Sequence, residues 1–189
     1  MRWEPGARDR LRAAALDLYA NRGFEQTTAA DIAQSVGLTE RTFFRYFADK
    51  REVLFGGQDR FKQVFVDGVA AAPEHASALE AVAFALQEAA AFFPDENRPH
   101  SRLRYAIISA NPGLQERELL KLAALADVMA GALRARGVAE DQSVLAAETG
   151  VTVFNVSYRR WMAEGESRSL GTIEADVLGE MRALTLSGS

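Results

Sequence analysis

Apolar residues recur along this chain at the three- and four-residue spacing of helices, and no stretch alternates with the two-residue period of a strand. The first apolar stripe ends before the sequence Asn21-Arg22-Gly23 and consists of Leu11, Ala14, Ala15, Leu18 and Tyr19. Prolines and glycines separate the later helices, which are predicted over about 75–93, 98–110, 114–136, 141–164 and 172–186. The pattern predicts an all-α chain of about nine helices.

Two short helices follow the first stripe, and they have the spacing of a helix-turn-helix motif. Thr28 is placed to cap the first of them, with Asp31 as an imperfect capping-box partner, and Thr39 is placed to cap the second. They lie about ten residues apart and are joined by a turn at Gly37. In this motif the second helix enters the DNA major groove, with its N-terminal residues at the base edges. The pattern therefore indicates sequence-specific DNA binding.

A fourth helix is predicted to begin after Asp49, with Glu52 at its N3 position, and to run to about Ala71, before Pro73. We expect the chain to divide within this helix. Residues 1–55 would form an N-terminal three-helix helix-turn-helix head, and residues 56–189 a larger C-terminal helical bundle.

The apolar positions of the head would form one small core that supports the second short helix. Its other side would then carry the DNA-reading side chains. Arg41 and Thr42 are expected to read bases, whereas Tyr46 and Lys50 are expected to hold the phosphate backbone. Replacing Lys50 with alanine should then reduce the salt dependence of binding. Glu40 is a further candidate, as an acceptor for a cytosine amino group.

Charge is uneven along the chain, although the whole has a pI of about 5.3. Residues 1–55 contain nine Arg and Lys against eight Asp and Glu, whereas residues 56–189 contain thirteen against eighteen. A near-neutral head on an acidic body fits a protein that binds DNA at one end. The chain has no cysteine, no apolar run of 18 residues and no signal-peptide pattern at its start, so a cytoplasmic location is expected.

Two rival functions have less support in the sequence. An enzyme would need a nucleophile with a histidine partner or a cofactor motif, and the chain has only His75 and His100 and no GxSxG, P-loop or GxGxxG sequence. We therefore predict no catalytic residue, no metal site and no cofactor. A helical adaptor would explain the apolar C-terminal helices. It would leave the threonine-capped, arginine-bearing helix without a role.

Residues 8–55 resemble the DNA-binding domain of the TetR family of transcriptional repressors. The resemblance rests on Gly23-Phe24, Asp31-Ile32-Ala33, Val36-Gly37-Leu38-Thr39 and Arg41-Thr42-Phe43-Phe44-Arg45-Tyr46-Phe47. It implies a regulator that forms a homodimer, binds a palindromic double-stranded operator and is released by a small effector. The DNA contacts expected from the resemblance and from the charge of this helix are Thr28, Thr39, Glu40, Arg41, Thr42, Phe44, Arg45, Tyr46 and Lys50. The usual tyrosine is Phe44 here, and alanines at 29 and 30 replace positions that often contact DNA.

The resemblance also assigns roles to the C-terminal helices. It places the dimer interface on 141–164 and 172–186, where the last helix carries Ile173, Val177, Leu178, Met181 and Leu184. The segment from about 117 to 164 also resembles family members that bind acyl-CoA-like ligands. A mainly apolar effector is therefore expected in a pocket lined by Phe84, Arg102, Leu103, Ile107, Leu122, Leu125, Phe154, Asn155 and Tyr158.

Two groups of polar residues in this part have alternative interpretations. Asn155 either bonds a ligand or is a satisfied buried amide or an interface contact, and we favour the second interpretation. Arg102, Arg104 and His100 either bind an effector anion or form a solvated face that touches the DNA-binding head, and we favour the second.

Overall fold

The computed structural model describes residues 6–186, with side chains described through Leu184, and all regular secondary structure in the described part is helical, with no strand. The helices are α1 (Ala7–Arg22), α2 (Ala29–Ser35), α3 (Glu40–Tyr46), α4 (Glu52–Phe55), α5 (Gln58–Ala71), α6 (Ala78–Ala90), α7 (Arg98–Ser109), α8 (Pro112–Ala135), α9 (Glu140–Trp161) and α10 (Leu170–Leu186). A short 3₁₀ helix at Asp95–Asn97 precedes α7. The predicted all-α class is confirmed.

The prediction that the chain starts without a signal peptide rests partly on residues 1–5, which lie outside the described residues. Between residues 6 and 186, none of the helices combines the length and the apolar character needed to cross a membrane.

The predicted fourth helix is interrupted, which gives ten α-helices in the described residues instead of nine. Gly56 is extended, with φ −63° and ψ 145°, and Gly57 has a left-handed φ of +89°. Residues with a side chain rarely adopt this φ, so the glycine allows the chain to leave the helical path. The continuous helix expected from Asp49 to Ala71 is therefore wrong, and the structure has the single-turn helix α4 followed by α5.

Side-chain caps fix the starts of the short helices. Thr28 and Asp31 form a complete capping box, because the Asp31 N–H donates to Thr28 Oγ1 (3.1 Å) and the Thr28 N–H donates to an Asp31 carboxylate oxygen (2.8 Å). Hydrogen bonds from Thr28 also lower the pKa of the Asp31 carboxyl. At Asp49, one carboxylate oxygen accepts from the N–H groups of Arg51 (2.8 Å) and Glu52 (3.0 Å). These side-chain hydrogen bonds satisfy N–H groups that would otherwise be left unbonded where α2 and α4 begin.

The described residues form two compact units. The head unit contains the residues up to Gly57 together with Arg102–Arg117, and the body unit contains Gln58–Ser101 together with the residues from Glu118 onward. The head core joins α1–α4 to Ile107, Ile108 and Leu114. The segment 102–117, expected in the C-terminal domain, therefore shares its core with the N-terminal helices.

The body unit is built around α6, α9 and α10, which pack on one another and on α5 and α8. Aromatic rings fill the centre of this core in edge-on and stacked contacts 5.0–6.2 Å apart, and they belong to Phe61, Phe65, Phe92, Phe93, Phe154, Tyr158 and Trp161. Such ring pairs stabilise a core beyond the apolar area that they bury.

A buried arginine, whose role was not predicted from the sequence, organises the end of α9 and the loop after it. Arg98 donates to the carbonyls of Glu166 and Arg168 and to the carboxylate of Asp95, and its guanidinium lies 5.0 Å from the Trp161 ring. The Trp161 Nε1–H donates to the same Asp95 oxygen (2.9 Å). These contacts tie the α9–α10 loop to the start of α7 within the body unit.

Candidate nucleic-acid interface

The turn between α2 and α3 has the geometry that a helix-turn-helix requires. Gly37 has φ +73°, and its N–H donates to the Gln34 carbonyl (3.0 Å), while the Leu38 N–H donates to the Ala33 carbonyl (2.9 Å). These bonds close the C-terminal end of α2 around a left-handed glycine. The chain then enters α3 at Thr39, whose Oγ1 accepts from the Thr42 N–H (3.2 Å).

One side of α3 is buried against α1 and α2, so the helix has a rigid support. Phe43 is fully buried and Phe47 nearly so, with their ring centroids 5.4 Å apart. They pack in the same core as Leu11, Ile32 and Ala33, which are also fully buried. The predicted head core is present.

The opposite side of α3 presents the residues predicted to contact DNA. Glu40, Arg41 and Arg45 are exposed on it. Thr39 is exposed just before the helix, and Thr42 is half-buried, with its hydroxyl 3.0 Å from that of Thr39. The first turn of the helix thus combines hydroxyls, a carboxylate and a guanidinium, which are groups able to bond to base edges.

The middle and end of α3 carry an aromatic and cationic set. Phe44 is 50% exposed and contacts Phe43 edge-on. The Arg45 guanidinium lies 5.0 Å from the centre of the Tyr46 ring and donates to the Tyr46 hydroxyl (3.1 Å). Arg45 and Tyr46 therefore present one combined surface, in which the arginine orients the phenol.

The start of α2 offers few exposed side chains for contact with DNA. Thr28 is exposed at the start of the helix, but Ala29 is buried in the head core and Ala30 is half-buried. Ala29 therefore has a packing role that was not predicted from its place in the sequence.

Lys50 is directed into its own chain. Its ammonium donates to the carbonyls of Phe24 (2.8 Å), Thr27 (3.1 Å) and Glu25 (3.4 Å), all in the loop between α1 and α2. The same nitrogen lies 4.4 Å from the centre of the Phe24 ring. A lysine expected to point toward phosphate thus bonds three backbone oxygens of the protein.

The arginines of the α7–α8 segment differ in their surroundings. Arg104 Nε donates to the Leu54 carbonyl (2.7 Å), and its guanidinium lies 5.3 Å from the Phe55 ring. Arg117 forms an ion pair with Glu52 and lies 5.8 Å from the same ring. Arg104 therefore contacts α4, which belongs to the head unit. Arg102 is half-buried in the head unit, and His100 is exposed in the body unit.

The residues expected to line an effector pocket are distributed over the two units. Leu103 and Ile107 pack in the head core, and Ile107 is buried there. Leu122, Leu125, Phe154 and Tyr158 belong to the body core, next to the half-buried Asn155. Phe84 is 39% exposed on α6. Four members of the predicted set, Leu122, Leu125, Phe154 and Tyr158, therefore belong to the body core, whereas Leu103 and Ile107 belong to the core of the head unit.

Two of these residues, Leu103 and Ile107, line a cleft on the head unit. Its volume is about 460 Å³, and it is bordered by Tyr19, Ala20, Gly23, Phe24, Glu25, Gln26, Leu103, Ala106, Ile107, Ala110 and Asn111. The aromatic members of the predicted pocket, Phe154 and Tyr158, instead stack on each other with ring centroids 5.6 Å apart.

Comparison with known sequences agrees with the geometry of both units. Residues 11–55 match the sequence profile described as bacterial regulatory proteins of the tetR family, and residues 76–184 match the profile of the MftR C-terminal domain. The chain belongs to the TetR family. It is a transcriptional regulator of the TetR type, and the proteins of this family bind DNA, are usually dimeric and typically bind a small-molecule ligand.

Two named relatives share parts of this sequence. MftR of Mycobacterium tuberculosis, named for a proposed role in regulating mycofactocin biosynthesis, is 26% identical over 162 residues, which cover 82% of this chain and 79% of MftR. The transcriptional regulator TcmR of Streptomyces glaucescens is 35% identical over 80 residues, which cover 42% of this chain and only 35% of TcmR.

Solved structures of regulators share the fold of this TetR-family chain. A candidate transcriptional regulator from Pseudomonas aeruginosa PAO1 superposes with a TM-score of 0.66 at 15% identity, covering 97% of this chain and 92% of its own. The fatty acid degradation regulator FadR from Bacillus halodurans gives a TM-score of 0.54 at 18% identity, covering 96% and 99%. At these identities the similarity concerns the fold alone.

Proposed function

We propose that this TetR-family chain is a repressor that binds a palindromic operator as a homodimer and leaves it when a small, mainly apolar effector binds. The observation that carries the DNA-binding part is the outer side of α3, where Glu40, Arg41 and Arg45 are exposed above a fully buried Phe43. A rigid helix with polar and cationic side chains on its free side fits the major groove, and the exposed threonines at the starts of α2 and α3, Thr28 and Thr39, would lie along the phosphate backbone.

Within this proposal, Arg41 and Thr42 read bases. Arginine commonly bonds both acceptors of guanine, so Arg41→Ala is expected to weaken operator binding by about 1–3 kcal/mol and to relax the preference at one base pair per half-site. The measurement is a fluorescence anisotropy titration of wild type and variant against operators substituted at each position. Arg60→Ala, in an exposed residue of α5 in the body unit, serves as the control. Equal loss of affinity on every sequence would show that Arg41 does not read a base.

Glu40, Phe44, Arg45 and Tyr46 complete the proposed contact set. Glu40 would accept from a cytosine amino group, and Glu40→Gln with an unchanged base preference would remove it from the set. Phe44 lacks the hydroxyl with which a tyrosine would reach a phosphate. The Arg45–Tyr46 pair keeps a phenol and a cation on the same surface. We therefore assign backbone contact to that pair.

The dimer is proposed to form through α9 and α10. The exposed leucines of these helices, Leu145 (68%) and Leu184 (81%), together with the exposed Val144, offer apolar surface outside the protomer's own core. By contrast, Ile173, Val177 and Leu178, which were expected at the interface, are buried within the body core. A two-fold interface on the exposed leucines would present two copies of α3 to successive major grooves.

The effector is proposed to bind in the body unit, whose apolar core includes Leu122, Leu125, Phe154 and Tyr158 and where the half-buried Asn155 follows Phe154 on α9. Binding there would have to separate the stacked rings of Phe154 and Tyr158, so the ligand would favour a rearranged body unit. Acyl-CoAs and cell extracts can be screened for release of operator DNA. A coupling of about 1–3 kcal/mol would lower operator affinity roughly 5- to 150-fold.

The match of residues 76–184 to the MftR C-terminal domain suggests where operators should be sought. We propose DNA upstream of the chain's own gene first, and DNA next to mycofactocin biosynthesis genes second, because the name of the M. tuberculosis relative refers to that process. Binding to the first fragment but not to the second would support a DNA-binding regulator and would contradict the proposal that it acts on mycofactocin biosynthesis genes.

A further inference from the structure

Lys50 connects the two ends of the helix-turn-helix. It lies four residues after the end of α3, and the carbonyls that accept from its ammonium belong to Phe24, Glu25 and Thr27, just before α2 begins. All three distances, 2.8, 3.4 and 3.1 Å, are within hydrogen-bond reach, and an ammonium has three protons to donate.

A second bond between the same parts of the head unit runs in the opposite direction. The Tyr19 hydroxyl, on α1, donates to the Lys50 carbonyl at 2.6 Å. The rings of Tyr19 and Phe24 meet edge-on, 5.1 Å between centroids, and the Lys50 ammonium lies over the Phe24 ring. Burial raises the pKa of the Tyr19 phenol, with the carboxylate of Asp49 adding to the effect, so the hydroxyl remains a donor at neutral pH.

We infer that Lys50 is a positioning residue: it fastens the segment after α3 to the loop before α2 and thereby holds α3 in its DNA-binding orientation. This inference rests on the proposed DNA-binding function, but it replaces the phosphate contact first expected for this lysine. An ammonium that faces three carbonyls has no proton left for a phosphate. Hydrogen bonds from a charged donor to backbone oxygens are also stronger than neutral ones, so we expect these three bonds to persist when DNA is bound.

Three variants separate a tie from a phosphate contact. Lys50→Met removes the ammonium and keeps the length of the side chain. Lys50→Arg keeps the charge but replaces a compact three-donor group by a planar fork, which still suits phosphate. Tyr19→Phe removes only the returning hydroxyl. Lys62→Met, in a lysine of the body unit paired with the exposed Asp59, is the matched control for loss of one positive charge.

Operator affinity is measured for each variant over a range of salt concentrations, and the exchange of the amide hydrogens of residues 24–28 is followed without DNA. For the tie, we expect Lys50→Met to weaken operator binding about 10-fold or more while the salt slope stays that of wild type. Lys50→Arg and Tyr19→Phe should weaken binding in the same direction. The amides of residues 24–28 should exchange faster in all three variants and not in Lys62→Met.

A phosphate contact gives the opposite pattern. Lys50→Arg would then retain affinity, Tyr19→Phe would have no effect, and Lys50→Met would reduce the salt slope by about 0.9 for each phosphate that the ammonium no longer neutralises. Any of these results overturns the inference. If Lys50→Met does not fold, Tyr19→Phe and Lys50→Arg still decide. If wild type binds no operator, the proposed function fails, and the amide exchange still tests whether Lys50 ties the two loops.

Discussion

Replacing Glu174 with glutamine is expected to make the protein more stable at pH 8.5 and to change its stability by only about 1 kcal/mol near pH 5. Glu174 lies on α10 with 1% of its surface exposed, and neither carboxylate oxygen has a hydrogen-bond partner among the described residues. Burial raises the pKa of this carboxyl to about 8. The charged side chains of the two helices packed against α10 are all exposed, and they are Glu80, Glu88, Glu140, Asp141, Glu148, Arg159 and Arg160.

Stability decreases as the pH rises because the folded chain holds the Glu174 proton more tightly than the unfolded chain does. Between about pH 4.3, where an unfolded glutamate titrates, and pH 8, the folded chain keeps a proton that the unfolded chain releases. The stability contributed by Glu174 is therefore fully present below this window and decreases by roughly 1.4 kcal/mol for each pH unit on going up through it. By pH 8.5 the loss is on the order of a few kcal/mol, and the Glu174→Gln variant does not incur it.

The free energy of unfolding is measured by urea titration at pH 5, 7 and 8.5 at one protein concentration, because a dimer's stability depends on concentration. The control is Glu180→Gln on the same helix, whose exposed carboxylate accepts two hydrogen bonds from Arg160 at 2.7 Å. Exposed pairs contribute little, so this control should change stability only slightly. Parallel pH profiles for wild type and Glu174→Gln would contradict the buried-acid interpretation.

Charging the exposed leucines of α9 and α10 is expected to give folded monomers that bind a palindromic operator about 100-fold or more weakly than wild type. Leu145 and Leu184 are largely exposed, so Leu145→Glu combined with Leu184→Glu removes no core packing from the protomer. Two linked heads bind the second half-site at high effective concentration, and separating them removes that gain of about 10²–10⁴.

Sedimentation velocity gives the oligomeric state, and anisotropy titration gives the affinity. The matched control is Leu119→Glu combined with Leu120→Glu, two leucines of α8 that are each 65% exposed. It should remain dimeric and bind the operator as wild type does. Wild-type monomers at micromolar concentration would contradict the proposed dimer, as would dimers of the α9–α10 double variant.

Local chemistry made the head predictable from sequence. The caps at Thr28 and Thr39 and the turn at Gly37 each depend on residues within five positions of one another, so their spacing in the sequence already contains the geometry. The break at Gly56 and Gly57 had a local signal as well, since two adjacent glycines favour a turn. The apolar pattern on both sides of them concealed it.

Contacts between distant residues were not predictable in this way. Lys50 bonds carbonyls 23–26 positions away, and Arg98 bonds carbonyls 68 and 70 positions away. The sequence does not indicate whether the charge of a lysine or an arginine will face solvent or bind backbone carbonyls. For α10, an apolar stripe shows that one side is covered, but it cannot show whether the cover is the same chain or a partner. Val177 was expected at the interface for that reason and lies in the body core.

Binding of the wild-type protein to DNA as a function of salt tests the central claim most directly. The titration uses a palindromic fragment from upstream of the chain's own gene and a scrambled fragment of the same length and composition, each at about 50 and 200 mM salt. If two copies of α3 and its flanking caps contact the duplex, the palindrome should bind far more tightly than the scrambled fragment, and its affinity should fall by about 10³-fold or more between the two salt concentrations. Equal affinity for the two fragments, or an affinity that does not change with salt, would contradict the assignment of α3 as a base-reading helix.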